Sequence, residues 1–336
     1  MSAPASPSPA SAAAFDGLSD LTQVATARVR RPVVLRHRVQ YAVLRSVIAT
    51  LGALGFRRAS DLGARIARLG YRPFGIRRRV VERQIAAAFP DWDVRRIRDT
   101  ALASYENLGR TTIETALLSR MRSETILELF DEPRNWHLIE HAIQRGNGVI
   151  ITAGHLGNWE IGGAYVAARM NNFEAIARQM ENPLFDDYVT RTRERIGMRV
   201  IHDADAVRRV PRVLRANGAA AFLIDQGAVG LASTWVPFFG RYAKTPRGPA
   251  VFALRLQTPV FHCAAIRKPD GRFILEIEEI AVRETDDRNA EIDRIVAECT
   301  AALERLVRRT PEQYFWHHRR WKHQRPNTPT GMGDPL

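Results

Sequence analysis

The residues best suited to chemistry are Gly154-His155-Leu156-Gly157-Asn158-Trp159-Glu160, which directly follow an apolar run ending at Thr152. A neutral imidazole can take a proton from a hydroxyl held against it. Gly154 and Gly157 permit a tight turn with close backbone approach, and Asn158 is suited to cap a helix beginning near Trp159. Glu160 stands five positions after His155, so on one continuous helix the two would face different ways. With His155 in the loop and Glu160 in the first helical turn, the carboxylate can fold back onto the ring. It would then hold the proton of one nitrogen and leave the other free to accept from an alcohol. The same helix N-terminus offers backbone donors to a developing oxyanion. The plainer alternative is that His155 packs in a turn and Glu160 caps a helix; a histidine and a glutamate sharing one Gly-rich strand-to-helix turn favour the chemical reading.

Positioning that motif requires a strand before it and a helix after it. Gly148 to Thr152, Ala175 to Ala177, Arg199 to Ile201, Ala219 to Ile224 and Pro259 to His262 read as buried strands. Helical segments lie between them, at Trp159 to Met170, Leu184 to Ile196, Ala206 to Ala216 and Gly248 to Leu256, and a pair over Phe273 to Ile277 and Asp286 to Arg308 completes the core. This alternation predicts an α/β fold, a mixed, mainly parallel sheet flanked by helices. In such sheets, sites lie outside the carboxyl ends of strands, where His155 emerges. From Arg38 to about Arg122 apolar residues recur at three- and four-residue spacing, which predicts an N-terminal helical region punctuated by Pro73 and Pro90. The expected divisions are a disordered tail over 1–35, a helical membrane-associating region over 36–130, the α/β core over 131–326 and a C-terminal tail over 327–336. The last thirty residues are expected to hold a final helix before that tail.

The formal net charge is +14, almost all from arginine, since Lys244, Lys268 and Lys322 are the only lysines. Such an excess favours anionic partners: phospholipid headgroups, phosphorylated glycolipids, acidic proteins or nucleic acid. Hydrophobic residues make up 45% and charged residues 26%, too polar for a polytopic membrane protein. Cys263 and Cys299 stand far apart and suggest neither a disulfide framework nor a zinc site. The most apolar stretch, Val39 to Phe56, is interrupted by Arg45 and Gly52 and flanked by Arg36, Arg38, Arg57 and Arg58. Two readings of it stay open: a shallowly embedded anchor with arginines at the headgroups, or a half-buried helix of the core.

The motif from Gly154 to Glu160 resembles the histidine-to-acid motif of glycerolipid acyltransferases, in the form typical of the lipid A biosynthesis late acyltransferases. The resemblance continues in order through Ala177-Arg178, Asn182-Pro183-Leu184, Arg195-Ile196-Gly197, Asp225-Gln226, Val236-Pro237-Phe238-Phe239-Gly240, Thr245-Pro246-Arg247-Gly248-Pro249-Ala250 and Pro311-Glu312-Gln313-Tyr314-Phe315-Trp316-His317-His318-Arg319-Arg320-Trp321-Lys322 with Arg325-Pro326, and upstream through Ala88-Phe89-Pro90, Asn107-Leu108-Gly109-Arg110 and Glu114. It covers about residues 38 to 326. It implies an enzyme that moves an acyl chain from acyl carrier protein to a hydroxyl of a lipid A precursor at the cytoplasmic face of a bacterial inner membrane, by direct transfer, with no cofactor and no metal. His155 would be the base, with Glu160 beside it. An acyl-CoA enzyme acting on another glycolipid, such as a phosphatidylinositol mannoside, shares the motif, and a non-catalytic basic protein binding membrane or nucleic acid is a third reading.

Seven further residues are candidate substrate contacts: Arg178 and Arg195 for phosphate oxygens, Asp225 and Gln226 past a strand end, Thr245 and Arg247 at a helix start, and Glu114 reaching in from the helical region. The alternatives are solvated arginines, a turn aspartate, a plain cap and a Glu114 ion pair. The Trp316 to His323 cluster interleaves aromatics with cations, as a nucleic-acid platform or a bilayer interface would. The lipid resemblance favours the bilayer, so the expected partners are acyl carrier protein, anionic lipid and the lipid A precursor, without nucleic acid. Acyl chain length, acceptor position and oligomeric state are silent in the sequence.

Overall fold

The computed structural model describes residues 31–227, 232–325 and 327–336. The expected tail over 1–35 falls mostly outside them. The chain opens with helices α1 (Leu35–Ala53), α2 (Phe56–Tyr71), α3 (Arg78–Ala88), α4 (Val94–Leu117) and the short α5 (Ser123–Glu128). The pair α2 and α4 can cross closely because Gly63 meets Gly109 there: a Cβ on Gly63 would stand 2.6 Å from the Gly109 carbonyl oxygen. In α1 His37, Ile48 and Leu51 are buried, while Leu35, Val39, Val43 and Val47 are exposed at four-residue spacing. The segment is thus a surface helix with one apolar stripe facing outward. No helix among the described residues is long and apolar enough to cross a membrane.

The core is a seven-stranded sheet in the order β1-β9-β8-β2-β5-β3-β4. Its strands are β1 (Phe130–Asp131), β2 (Val149–Ala153), β3 (Phe173–Ala177), β4 (Met198–His202), β5 (Ala219–Leu223), β8 (Val260–Arg267) and β9 (Phe273–Ile280). All neighbours are parallel except the β8–β9 pair. Parallel strands need crossovers, and the near-continuous apolar runs of β2 and β8 fit strands covered on both faces. Helices α6 (Trp136–Gln144), α7 (Trp159–Arg169) and α8 (Pro183–Arg195) lie over one face, where Ile139, Ile161 and Ala164 join Ile151, Phe173 and Cys263 in one apolar cluster. Helices α9 (Ala206–Arg215), α10 (Gly248–Leu256) and α11 (Arg288–Arg309) cover the other, with Val210, Phe252 and Ile295 packed on Ile150, Ala220 and Val260. The predicted α/β class with a mixed, mainly parallel sheet and an N-terminal helical region is what the chain adopts.

One element was not anticipated, and one local expectation needs correction. A separate antiparallel hairpin, β6 (Ser233–Phe238) and β7 (Arg241–Pro246), turns through Phe239 and Gly240, both at positive φ. Its strands carry Pro237 and a mixed polar pattern, so they did not read as strands. The end of the chain differs from the expectation: among the described residues after α11, a 3₁₀ turn, Pro311–Gln313, stands where a final helix was expected. Trp316 and Trp321 are each 1% exposed, enclosed with Phe89, Phe238 and Phe239. They therefore form core, not a bilayer face. The backbone is held there by Gln84, whose Nε2 donates to the carbonyls of Trp316 at 2.6 Å and His318 at 2.5 Å.

Candidate active site

Strands β2 and β5 pair in parallel with Ala153 opposite Leu223, and the Ile224 amide extends the ladder to the Ala153 carbonyl at 2.9 Å. His155 and Asp225 each stand two residues past those paired ends, so the register carries them out of the sheet side by side. The Asp225 carboxylate accepts from the His155 backbone amide at 3.0 Å through Oδ2 and meets ring Nδ1 at 2.7 Å through Oδ1. This fixes the ring and leaves Nε2 as the nitrogen available to another group. Trp159 and Phe315 flank the imidazole, with ring centroids 4.8 and 5.9 Å away.

Burial disfavours the charged imidazolium, but the charge and hydrogen bond of Asp225, with the charge of Glu160, outweigh it and raise the His155 pKa above its ordinary value. For Asp225 burial works against ionisation too. Its contacts with His155 and the nearby Arg320 guanidinium overcome this and hold the carboxyl well below the usual carboxylate range. Burial, with the charge of Asp225, pushes the nearby Tyr314 hydroxyl well above its ordinary pKa. His318 lies close enough to feel both members of the pair, and burial pushes its pKa down to about 4, so it stays neutral.

The expectation that Glu160 would hold the ring is overturned by this geometry. Glu160 sits in the first turn of α7 and turns across to α8, where Arg193 grips it bidentately at 3.0 Å (Nε to Oε2) and 2.5 Å (Nη2 to Oε1). A guanidinium fork in the last turn of the adjacent helix is a better match for that carboxylate than an imidazole already held by Asp225. Glu160 acts on His155 through its charge alone.

A cavity of about 370 Å³ opens at His155 and runs down between α7 and the sheet. Glu160, Arg193, Arg178 and Gln226 line it together with the buried apolar side chains of Val166, Phe173, Met198 and Leu275. Gly162 and Gly163 line it and let α7 approach its neighbours closely. A Cβ on Gly163 would meet the Met198 sulfur at 3.0 Å, and one on Gly162 would meet the Ala265 Cβ at 2.8 Å. Cys263 also lines the cavity, but burial pushes its thiol up to about 12, so it is no nucleophile at neutral pH.

The loop carrying His155 is clamped from several sides. Gly157, at φ +64, comes so near β8 that a Cβ there would lie 1.9 Å from the Ala265 carbonyl oxygen. Asn158 caps α7 through the Ile161 amide at 3.1 Å and donates to Glu114 at 2.7 Å. Glu114, fully buried, is also held by both guanidinium nitrogens of Arg267 at 2.7 Å and by Ser60 at 2.5 Å.

Of the other expected contacts, Arg178 stands at the cavity rim, 3.7 Å from Asp203, and Gln226 lines the wall. Arg195 does not reach the cavity; it donates to the Leu118 carbonyl at 3.4 Å, because its position on α8 faces the N-terminal helices. Arg247 is likewise turned away, toward Asp293 at 3.3 Å and Asn289 at 3.0 Å on α11. Thr245 is buried and accepts from Arg320 at 2.5 Å. Glu114 supports the loop from behind and does not line the cavity. Arg193 was not singled out in the sequence; Tyr314, Phe315 and Arg320 stood there only within a block of the resemblance or the Trp316 to His323 cluster, and no local signal ties any of them to His155.

The fold and this site define an α/β enzyme with a histidine–aspartate pair at the mouth of an apolar cavity. Residues 32–323 match the family described as bacterial lipid A biosynthesis acyltransferase, and the chain belongs to that family. Among curated relatives, the lipid A biosynthesis palmitoleoyltransferase of Escherichia coli (strain K12) is 26% identical over 270 residues, 78% of this chain and 84% of the relative. The lipid A biosynthesis lauroyltransferase of the same strain is 23% identical over 277 residues, 80% of this chain and 87% of the relative. The phosphatidylinositol mannoside acyltransferase of Mycolicibacterium smegmatis is 25% identical over 168 residues, 48% of this chain and 54% of that one. The protein is an O-acyltransferase of lipid A biosynthesis.

Proposed function

We propose that the protein transfers a fatty acyl chain directly from acyl carrier protein to a hydroxyl of a lipid A precursor at the cytoplasmic face of the inner membrane, with His155 as general base. The observation that carries this reading is the His155–Asp225 pair at 2.7 Å, set at the mouth of the apolar cavity. Asp225 holds the Nδ1 proton, so Nε2 takes the proton of the acceptor hydroxyl as its oxygen attacks the thioester carbonyl. The carbon–oxygen bond forms, the carbon–sulfur bond breaks, and the proton on His155 passes to the departing thiolate. The first turn of α7 leaves the Trp159 and Glu160 amides without intrahelical acceptors, suited to the developing oxyanion. The acyl chain occupies the cavity, and Arg178 supplies positive charge near its mouth for the phosphates of the acceptor or of the carrier's prosthetic group.

The outward stripe of α1 supports peripheral membrane attachment. It joins the cavity rim through Asn182, which donates to the His37 carbonyl at 3.2 Å and to Gln40 at 3.0 Å, close to Met180 on the rim. Phe74 and Ile76 add exposed apolar side chains after α2.

The test is transfer from lauroyl-acyl carrier protein to a purified lipid A precursor, read by mass spectrometry. His155→Ala is expected to lower kcat/KM by about 100-fold or more. Activity within a few-fold of wild type would remove the base assignment, and transfer only from acyl-CoA would remove the carrier.

A further inference from the structure

Helix α9 places Arg208, Arg212 and Arg215 on its exposed side, and α10 adds Arg255 across from them. Between the two helices runs a groove of about 290 Å³, floored by Val207, Pro211, Val251 and Leu256. Arg208 pairs with Asp205 at 3.1 Å, while Arg212, Arg215 and Arg255 have no ion pair among the described residues. Three cations without a carboxylate partner among the described residues therefore rim one apolar trough.

We propose that this groove docks the donor: it receives an acidic amphipathic helix of the carrier protein that brings the acyl chain, and the proposal rests on the reading of a carrier-borne thioester. Charge complementarity selects an acidic partner, and the apolar floor selects the hydrophobic side of a helix. A bilayer fits less well. The floor side chains are recessed between charged rims, whereas membrane insertion needs protruding apolar groups like those of α1.

Location agrees. Helix α9 begins one short turn after Asp203, and α10 begins next to Pro249; both Asp203 and Pro249 line the cavity. Arg208 stands five residues beyond Asp203, so at about 1.5 Å per residue the upper end of the groove lies within roughly 8 Å along the chain axis of the cavity rim. The groove is on the α9–α11 face of the sheet, and α1 packs beside α8 on the other. Donor and lipid acceptor would then approach His155 from opposite faces and need not compete for one surface.

The experiment uses the full-length protein, lauroyl-acyl carrier protein labelled for fluorescence anisotropy, and vesicles of phosphatidylcholine with phosphatidylglycerol. Arg212→Glu with Arg255→Glu is expected to weaken carrier binding at least 10-fold, with vesicle co-sedimentation within 2-fold of wild type. Arg212→Lys with Arg255→Lys, which keeps the charge, is expected to retain most of the binding and so separates charge from misfolding. Carrier binding unchanged in the Glu variant, or no binding by the wild type, would overturn the proposal, as would loss of vesicle binding in its place. A wild type that acylates the precursor from lauroyl-CoA yet ignores the carrier refutes the groove and leaves acyl transfer standing. Carrier binding without any transfer refutes the acyl-carrier reaction itself.

Discussion

At His155 the environment sets both the geometry and the titration. Asp225 holds one ring nitrogen and raises the pKa, against the burial that lowers it. As the proposed base, His155 must be neutral, so activity is expected to fall as pH drops through that raised value. Asp225, Glu160 and the neutral His318 are the titratable groups that act on the ring, and the two carboxylates carry the shift. Asp225→Asn removes the larger contribution and the tautomer control. It is expected to cost about 100-fold or more in kcat and to move the acid limb of the pH profile downward; an unmoved limb would show that Asp225 does not tune the base. The pair stabilises the fold in the opposite sense. The His155 contribution is complete below its ordinary pKa and is lost as pH rises through the folded value, whereas that of Asp225 is lost only in acid. The sequence pointed to His155 directly, because the Gly-rich turn is local. Its partner stands seventy residues away and carried only the signal of an aspartate after a strand.

Among the elements, α7 and its leading loop are held by close approach and by a buried charge. Gly157→Ala would set a Cβ 1.9 Å from the Ala265 carbonyl at a positive φ, so destabilisation of about 1–3 kcal/mol is expected, with a matching loss of transfer rate. Removing the Glu114 carboxylate leaves the Arg267 guanidinium enclosed without its partner. Glu114→Ala is expected to cost about 3 kcal/mol or more, read as a lowered urea midpoint; a change under about 0.5 kcal/mol would mean that water reaches Arg267 freely. The depth of the cavity belongs to this scale as well. Met198→Ala is expected to lengthen it past Gly163 and to shift competition between lauroyl and palmitoyl donors toward the longer chain.

The whole molecule presents unlike surfaces on either side of one sheet edge. An apolar stripe on α1, with Phe74 and Ile76, lies away from the arginine groove of α9 and α10, and the cavity mouth opens at the strand ends. Val39→Glu with Val43→Glu is expected to reduce vesicle co-sedimentation several-fold without changing the urea midpoint by more than about 0.5 kcal/mol, since both side chains already face solvent. Undiminished vesicle binding would place the membrane contact elsewhere. With a net charge of +14, binding of the wild type to anionic vesicles is expected to weaken as salt rises.

The alternation of strands and helices, the helical N-terminal region and the position of His155 at a strand end were legible in the chain, because hydrophobic period and turn chemistry act over a few residues. What stands beside what was not. Glu160, near in sequence, turned to Arg193; Asp225, far off, met the imidazole because β2 and β5 pair in register. Trp316 and Trp321, which read as an interface belt, became core when Gln84 and the hairpin folded over them. Pairing across a parallel sheet is set by crossovers and packing, and those interactions join residues that no local pattern connects.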